Sequence, residues 1–222
     1  MKKNLFLALC LIALSPLCLK AETIPATDSR VTFVGRTAVD GTAVSFDWTA
    51  TYFRIAFSGQ SLTMKASDLK FGAADEEAAA KLHNYYAVWI DSPTSAEPHR
   101  IIEVKPGEQV IELVDSMYLK KSRRSGHEVI VQKRTEGEQG RTTVYEFTTD
   151  GQFFPATPLK ERQLEFIGDS YTCGYGIDAP TKEEKFSPET ENASRSYAAI
   201  VSRYFDADYI AVAHSGMGIA RN

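Results

Sequence analysis

The chain has 222 residues but only three cysteines, two of which, Cys10 and Cys18, fall in the N-terminal segment 1–21. Once that segment is removed, Cys173 stands alone. An intramolecular disulfide is then excluded, and the fold must rest on its core. No long basic run occurs, and the formal charge is −4. A nucleic-acid partner needs a clustered Lys/Arg surface, so none is expected. The longest apolar run, Leu5–Leu14, is too short to span a bilayer. None of the four histidines, His83, His99, His127 and His214, pairs with another at metal-site spacing. No metal and no organic cofactor are expected.

Hydrophobic residues make up 43% of the chain, enough for a packed core. Lys2 and Lys3 precede the Leu5–Leu14 run, and small or polar residues follow it. This is the pattern of a secretory signal peptide over 1–21, with cleavage after Ala21. Leu17 before Cys18 argues against a lipoprotein signal. The expected location is therefore secreted or periplasmic, with no membrane attachment after cleavage. Removal of Lys2, Lys3 and Lys20 leaves the mature chain more acidic.

From residue 22 to 150 the chain reads as β structure. Strands are expected at Val31–Val34, Ala43–Trp48, Tyr52–Phe57, Ser61–Lys65, Tyr85–Ile90, Arg100–Val104, Gln109–Val114, Glu128–Lys133 and Thr142–Phe147. Tyr52–Phe57 alternates in the manner of a half-buried strand. Turn pairs such as Asp40-Gly41 and Pro106-Gly107 separate these segments. Many short strands at this spacing predict a sandwich or jelly roll. Asp75–Leu82, rich in alanine and acid, is expected as a helical turn or loop. Residues 151–162 hold Pro155 and Pro158 and read as a linker.

The periodicity then changes. Gln163–Ile167 and Asp208–Ala213 read as strands, the second as one buried in a parallel sheet. Residues 171–193 read as a long polar loop. Between them Tyr197, Ile200, Val201, Tyr204 and Phe205 repeat at helical spacing, which predicts one face of an amphipathic helix capped by Ser194 or Ser196. The strand–helix–strand order predicts the opening of an α/β domain over 163–222.

Gly168-Asp169-Ser170 ends the first of these strands and places a serine hydroxyl where open α/β sheets bind ligands. Ser170 is the candidate nucleophile, and its own N–H is a candidate oxyanion donor. Asp169 and Gly168 are expected to shape the turn. The tripeptide is also ordinary turn chemistry, and it is not the Gly-x-Ser-x-Gly elbow. At the end of the second strand, Gly216 in His214-Ser215-Gly216-Met217-Gly218 offers a second backbone donor. His214 is the only local candidate base, although a hydrogen-bonded loop histidine is the favoured reading. His83, His99 and His127 read as surface or loop residues, and Cys173 as a buried small side chain. Tyr85, Tyr86 and Trp89 could stack on a sugar, but at strand spacing they read first as core and face residues.

Phe166-Ile167-Gly168-Asp169-Ser170 resembles the first block of the SGNH (GDSL-type) hydrolases. The longer Gly168–Gly176 stretch resembles carbohydrate esterase family 2, whose members usually carry Ile where Tyr171 stands. Gly126–Val129, Lys133–Glu136, Ser196–Ala199 and Ser215–Gly218 are similar to further family blocks. The resemblance implies an acetyl esterase acting on acetylated polysaccharides or oligosaccharides such as xylan. It implies an N-terminal jelly roll followed by an SGNH domain with a flavodoxin-like parallel sheet. Ser170 becomes the nucleophile and first oxyanion donor, and Gly216 the second. The family's Gly-x-Asn-Asp block and its C-terminal histidine have no counterpart here, and Asn222 stands in the wrong context. The chain is therefore expected to stop partway into its catalytic domain and to be inactive as it stands. The alternative is a secreted carbohydrate-binding β module with a vestigial hydrolase stub.

Overall fold

The computed structural model describes residues 21–70, 75–120, 122 and 124–218. The expected signal segment lies almost wholly outside the described residues. Twelve strands form the first part: β1 Glu22–Pro25, β2 Thr32–Val34, β3 Ala38–Asp40, β4 Ala43–Phe46, β5 Tyr52–Phe57, β6 Leu62–Leu69, β7 Asn84–Ile90, β8 Arg100–Val104, β9 Gly107–Val114, β10 His127–Lys133, β11 Arg141–Thr149 and β12 Phe153–Phe154. Two more follow, β13 Gln163–Gly168 and β14 Asp208–Ala213. The helices are short: α1 Glu76–Ala79, α2 Ser116–Leu119, α3 Ser170–Cys173 and α4 Tyr197–Tyr204. Among the described residues no helix is long and apolar enough to cross a membrane.

Two antiparallel sheets face each other. One runs β3-β4-β11-β6-β9, with β1 on the far half of β11. The other runs β12-β5-β10-β7-β8, with β2 also on β5. Their inner faces share one apolar core, in which Phe53 of β5 meets Phe147 of β11 with ring centroids 5.2 Å apart. β6 alternates buried and half-buried positions, as a sheet with one wet face should. The expected sandwich is thus present. β1, β3 and β12 were not expected, being two to four residues long and without internal periodicity. β12 lies inside the stretch expected as linker and pairs with Phe57 and Ala56 of β5.

β5 departs from simple alternation. Tyr52 and Arg54 point away from the sandwich core yet are buried, at 6% and 5% exposure. Gln132 of β10 is buried likewise. The unit β13–α4–β14 covers them. A second apolar cluster joins Val34, Ala50 and Tyr52 to Ala193, Ala198, Ala199, Tyr209 and Ala211. β13 and β14 pair in parallel, from Gln163 opposite Asp208 to Gly168 opposite Ala213.

Helix α4 forms and turns that apolar face outward. Ala198, Ala199 and Ser202 are buried, whereas Tyr197, Ile200, Tyr204 and Phe205 are exposed and Val201 is half-buried. Small side chains let the helix approach β14 and Tyr209 closely, and the bulky apolar stripe points outward. Ser196 occupies the cap position, but its hydroxyl donates back to the Ala193 carbonyl at 2.9 Å. β13 is likewise not buried on both sides, for Ile167 is 70% exposed. The Asp75–Leu82 stretch holds α1, with Asp75 accepting from the Ala78 N–H. The expected polar loop 171–193 contains α3 and two 3-10 turns, Pro188–Thr190 and Ala193–Arg195.

Candidate active site

The parallel register brings two loops to one level. Gly168 ends β13 opposite Ala213, and the His214 N–H donates to the Gly168 carbonyl at 3.2 Å. The Gly168–Asp169–Ser170 turn and the His214–Gly218 loop therefore leave the C-terminal edge of the sheet side by side. Ser170 is half-buried at the first position of α3. Asp169 caps that helix by accepting from the Tyr171 N–H at 3.1 Å. A Cβ on Gly168 would collide with the Thr172 hydroxyl, so glycine lets the Thr172 side chain pack directly on the strand end. Gly174 ends α3 with φ +75 and lies against the Asn192 carbonyl. An open cleft of about 400 Å³ is lined by Ser170, Tyr171, Gly174, Tyr175 and Ile177. The Tyr175 ring stacks on Phe186 at 3.6 Å.

The other loop is a tight turn. The Met217 N–H reaches the His214 carbonyl at 3.3 Å, and Gly216 at the third position has φ +78. A type II turn requires a positive φ there. Gly216 is exposed.

Beneath both loops lies a contribution from the sandwich. β10 ends at Lys133, and the next three residues turn toward the second unit. The Lys133 ammonium, fully buried, donates to the carbonyls of Thr135 at 2.7 Å and Glu136 at 2.8 Å. Arg134 donates to Asp178 Oδ2 at 2.8 Å and to the Glu189 and Glu191 carbonyls, pinning the long loop. Thr135 Oγ1 donates to Asn84 Oδ1. Glu136 Oε2 accepts from the Ser215 N–H at 2.7 Å and from the Cys173 thiol at 3.9 Å. The Glu136 N–H donates to Glu191 Oε2 at 3.1 Å.

Glu136, Cys173 and Glu191 place their ligating atoms within 4.8 Å of one another, all buried. Burial first, and the Glu136 charge second, push the Glu191 carboxyl well up. Burial does the same to the Cys173 thiol. Both therefore favour keeping their protons, and Glu136 is already engaged by two donors. The chemistry of the set is that of a hydrogen-bonded cluster rather than a cation cage. Spacing could not reveal it, because 136, 173 and 191 belong to three separate segments.

His214 is held at both ring nitrogens. Nδ1 lies 2.8 Å from the Ser215 carbonyl, and Nε2 lies 3.1 Å from Glu138. That is the loop-histidine reading. His127 corrects its expected place: it is buried in β10 with Nδ1 2.7 Å from Asp91. His83 sits beside Glu103 and His99 against Tyr118. Tyr86 and Trp89 are buried and present no face to a sugar, whereas Tyr85 is half-buried. A cleft of about 410 Å³ lined by Tyr52, Arg54, Arg203 and Asp208 lies at the opposite, N-terminal end of β14.

The family model "Carbohydrate esterase 2 N-terminal" matches residues 33–158. Among curated proteins, an acetylxylan esterase / glucomannan deacetylase of Cellvibrio japonicus is 36% identical over 183 residues, covering 80% of this chain and 44% of that protein. The cellulase/esterase CelE of Acetivibrio thermocellus is 29% identical over 166 residues, 74% of this chain and 20% of that protein. Among solved structures, a family two carbohydrate esterase from Cellvibrio japonicus superposes with a TM-score of 0.74 at 25% identity, covering 91% of this chain and 55% of that one. One from Clostridium thermocellum, in complex with cellohexaose, gives 0.72 at 26% identity, with coverage of 86% and 53%. The chain thus spans half or less of these curated relatives and little more than half of the solved chains.

Proposed function

The chain belongs to the carbohydrate esterase 2 family, and from that premise we propose that it is the N-terminal sandwich and the nucleophile-bearing start of an SGNH-type α/β domain of a secreted carbohydrate O-acetyl esterase. The observation that carries the reading is Ser170 at the C-terminal end of β13, one strand from the Gly216 turn. Ser170 Oγ attacks the acetyl carbonyl of an acetylated polysaccharide or oligosaccharide. The N–H groups of Ser170 and Gly216 receive the oxyanion; its collapse breaks the bond to the sugar oxygen, which leaves as the hydroxyl with the proton that a base took from Ser170, and water then releases acetate from the acyl-enzyme. Asp169 and Gly168 hold the turn, and no group other than protein side chains and backbone is called on.

The base must come from elsewhere. His214 is committed to the Ser215 carbonyl and Glu138, and His83, His99 and His127 belong to the sandwich. The 222 residues alone are therefore expected to hydrolyse little. Against a detached binding module stands the covering of Arg54 and Gln132, which makes the β13–α4–β14 unit part of the sandwich's own packing.

Acetate release from acetylated xylan tests the reading. In an enzyme with a complete catalytic domain, Ser170→Ala should lower kcat by roughly 10⁴-fold or more. The 222-residue chain should remain near background. Unchanged turnover by the Ser170→Ala enzyme would sink the assignment.

A further inference from the structure

We propose that Glu136, a side chain of the sandwich, is a positioning residue that fixes the Gly216 turn against the nucleophile helix. The inference rests on the reading of Ser170 and Gly216 given above and goes beyond it, because it assigns the β domain a part in the chemistry. One carboxylate oxygen, Glu136 Oε2, meets both elements: the Ser215 N–H of the turn at 2.7 Å and the Cys173 thiol at the end of α3 at 3.9 Å. Glu136 is 1% exposed, so that oxygen is shielded from bulk solvent. A charge-assisted bond from a carboxylate to a backbone N–H is about twice as strong as a neutral one.

The backbone that carries the carboxylate is itself held at three points. Lys133 Nζ binds the Glu136 carbonyl at 2.8 Å, the Glu136 N–H is bound by Glu191 at 3.1 Å, and the Ala193 N–H binds the Arg134 carbonyl at 3.1 Å. The anchor is thus rigid. Ser215 is the second residue of the turn and Gly216 the third, so the Ser215 N–H and the Gly216 N–H sit on successive peptide planes. Tying the first plane orients the second. Without the tie, Gly216, exposed and unobstructed at its Cα, can leave its geometry at low cost. Cys173 provides the reference on the nucleophile side. Glu136 therefore sets the separation of the two oxyanion donors without touching the substrate.

The test is kinetic and uses the enzyme with its complete catalytic domain. Glu136→Ala should lower kcat by about 10–100-fold, less than outright loss of an oxyanion donor, with KM changed less than about two-fold. Glu136→Gln keeps an oxygen acceptor and should recover most of the rate. Ser215→Pro removes the donor from the other end, and proline suits the second position of such a turn. Combined with Glu136→Ala, it should lower kcat no further than either change alone. Should Glu136→Ala fail to fold, Ser215→Pro alone carries the same expectation. A kcat within two-fold of the parent in both variants, or a raised KM at constant kcat, would overturn the positioning role. Parallel measurement of Ser170→Ala separates the two failures. Activity lost there but kept in Glu136→Ala defeats only the positioning role, and activity kept in Ser170→Ala defeats the nucleophile reading beneath it.

Discussion

Asp208 shows how much one residue can join. It opens β14, its side chain is buried, and it accepts from the Tyr52 hydroxyl at 2.7 Å, from the Lys160 N–H at 2.8 Å and from the Arg54 guanidinium. Arg54 and Tyr52 belong to the sandwich, so the pair spans the two units. Burial alone would raise the Asp208 carboxyl, but these three donors outweigh it and hold the group below the ordinary aspartate value. A carboxylate depressed in the folded state stabilises above its unfolded pKa and loses that stabilisation as pH falls through the folded one. The urea midpoint should therefore drop steeply below about pH 4. Asp208→Asn should flatten that part of the profile. Asp208→Ala leaves Arg54 buried and unpaired, which costs about 3–5 kcal/mol; equilibrium urea unfolding at neutral pH checks this. Alternation in Tyr52–Phe57 marks a strand with two unlike faces, and Arg54 lies on the face opposite Phe53 and Ile55. It could not show that this face is covered, because the partner aspartate lies 154 residues away.

Elements repeat the lesson with helices and turns. Helical spacing grouped Tyr197, Ile200, Tyr204 and Phe205 on one side of α4, and they do share a side. Periodicity states which residues lie together, not which side meets a neighbour. The neighbour here, β14 with Tyr209, leaves room only for Ala198, Ala199 and Ser202. Gly168-Asp169-Ser170 was legible because a strand end, a cap and a short helix are all local. Gly174 completes that element with φ +75, and a Cβ there would strike the Asn192 carbonyl. Gly174→Ala should therefore cost about 2–3 kcal/mol. Gly41, at φ +58 with open space around it, is the control: Gly41→Ala should cost only about 1 kcal/mol of backbone strain. Thermal melts of the two variants, compared with the parent, decide the ordering. The reverse ordering would show that the Asn192 segment yields easily.

For the whole molecule, the joint between sandwich and β13–α4–β14 is itself a core. The second apolar cluster, the Arg54–Asp208 pair and the Lys133–Glu136 segment all cross it. A crossing this dry and this hydrogen-bonded should unfold with the parts it joins. Calorimetry of the 222-residue chain should give one transition, with calorimetric and van't Hoff enthalpies equal. Two resolved transitions would mean that the sandwich folds without the second unit. By itself the sequence determined most strands of the sandwich, the strand–helix–strand that follows, and Ser170 as the residue to watch. Each of these depends on local periodicity, turn chemistry or a short motif. Only the tertiary structure decided which face of α4 is covered, that His127 is interior, and that Glu136 lies beneath the Gly216 turn. Those depend on segments far apart in sequence meeting in a dry interior, where each buried polar group must find a partner and the fold alone brings that partner near.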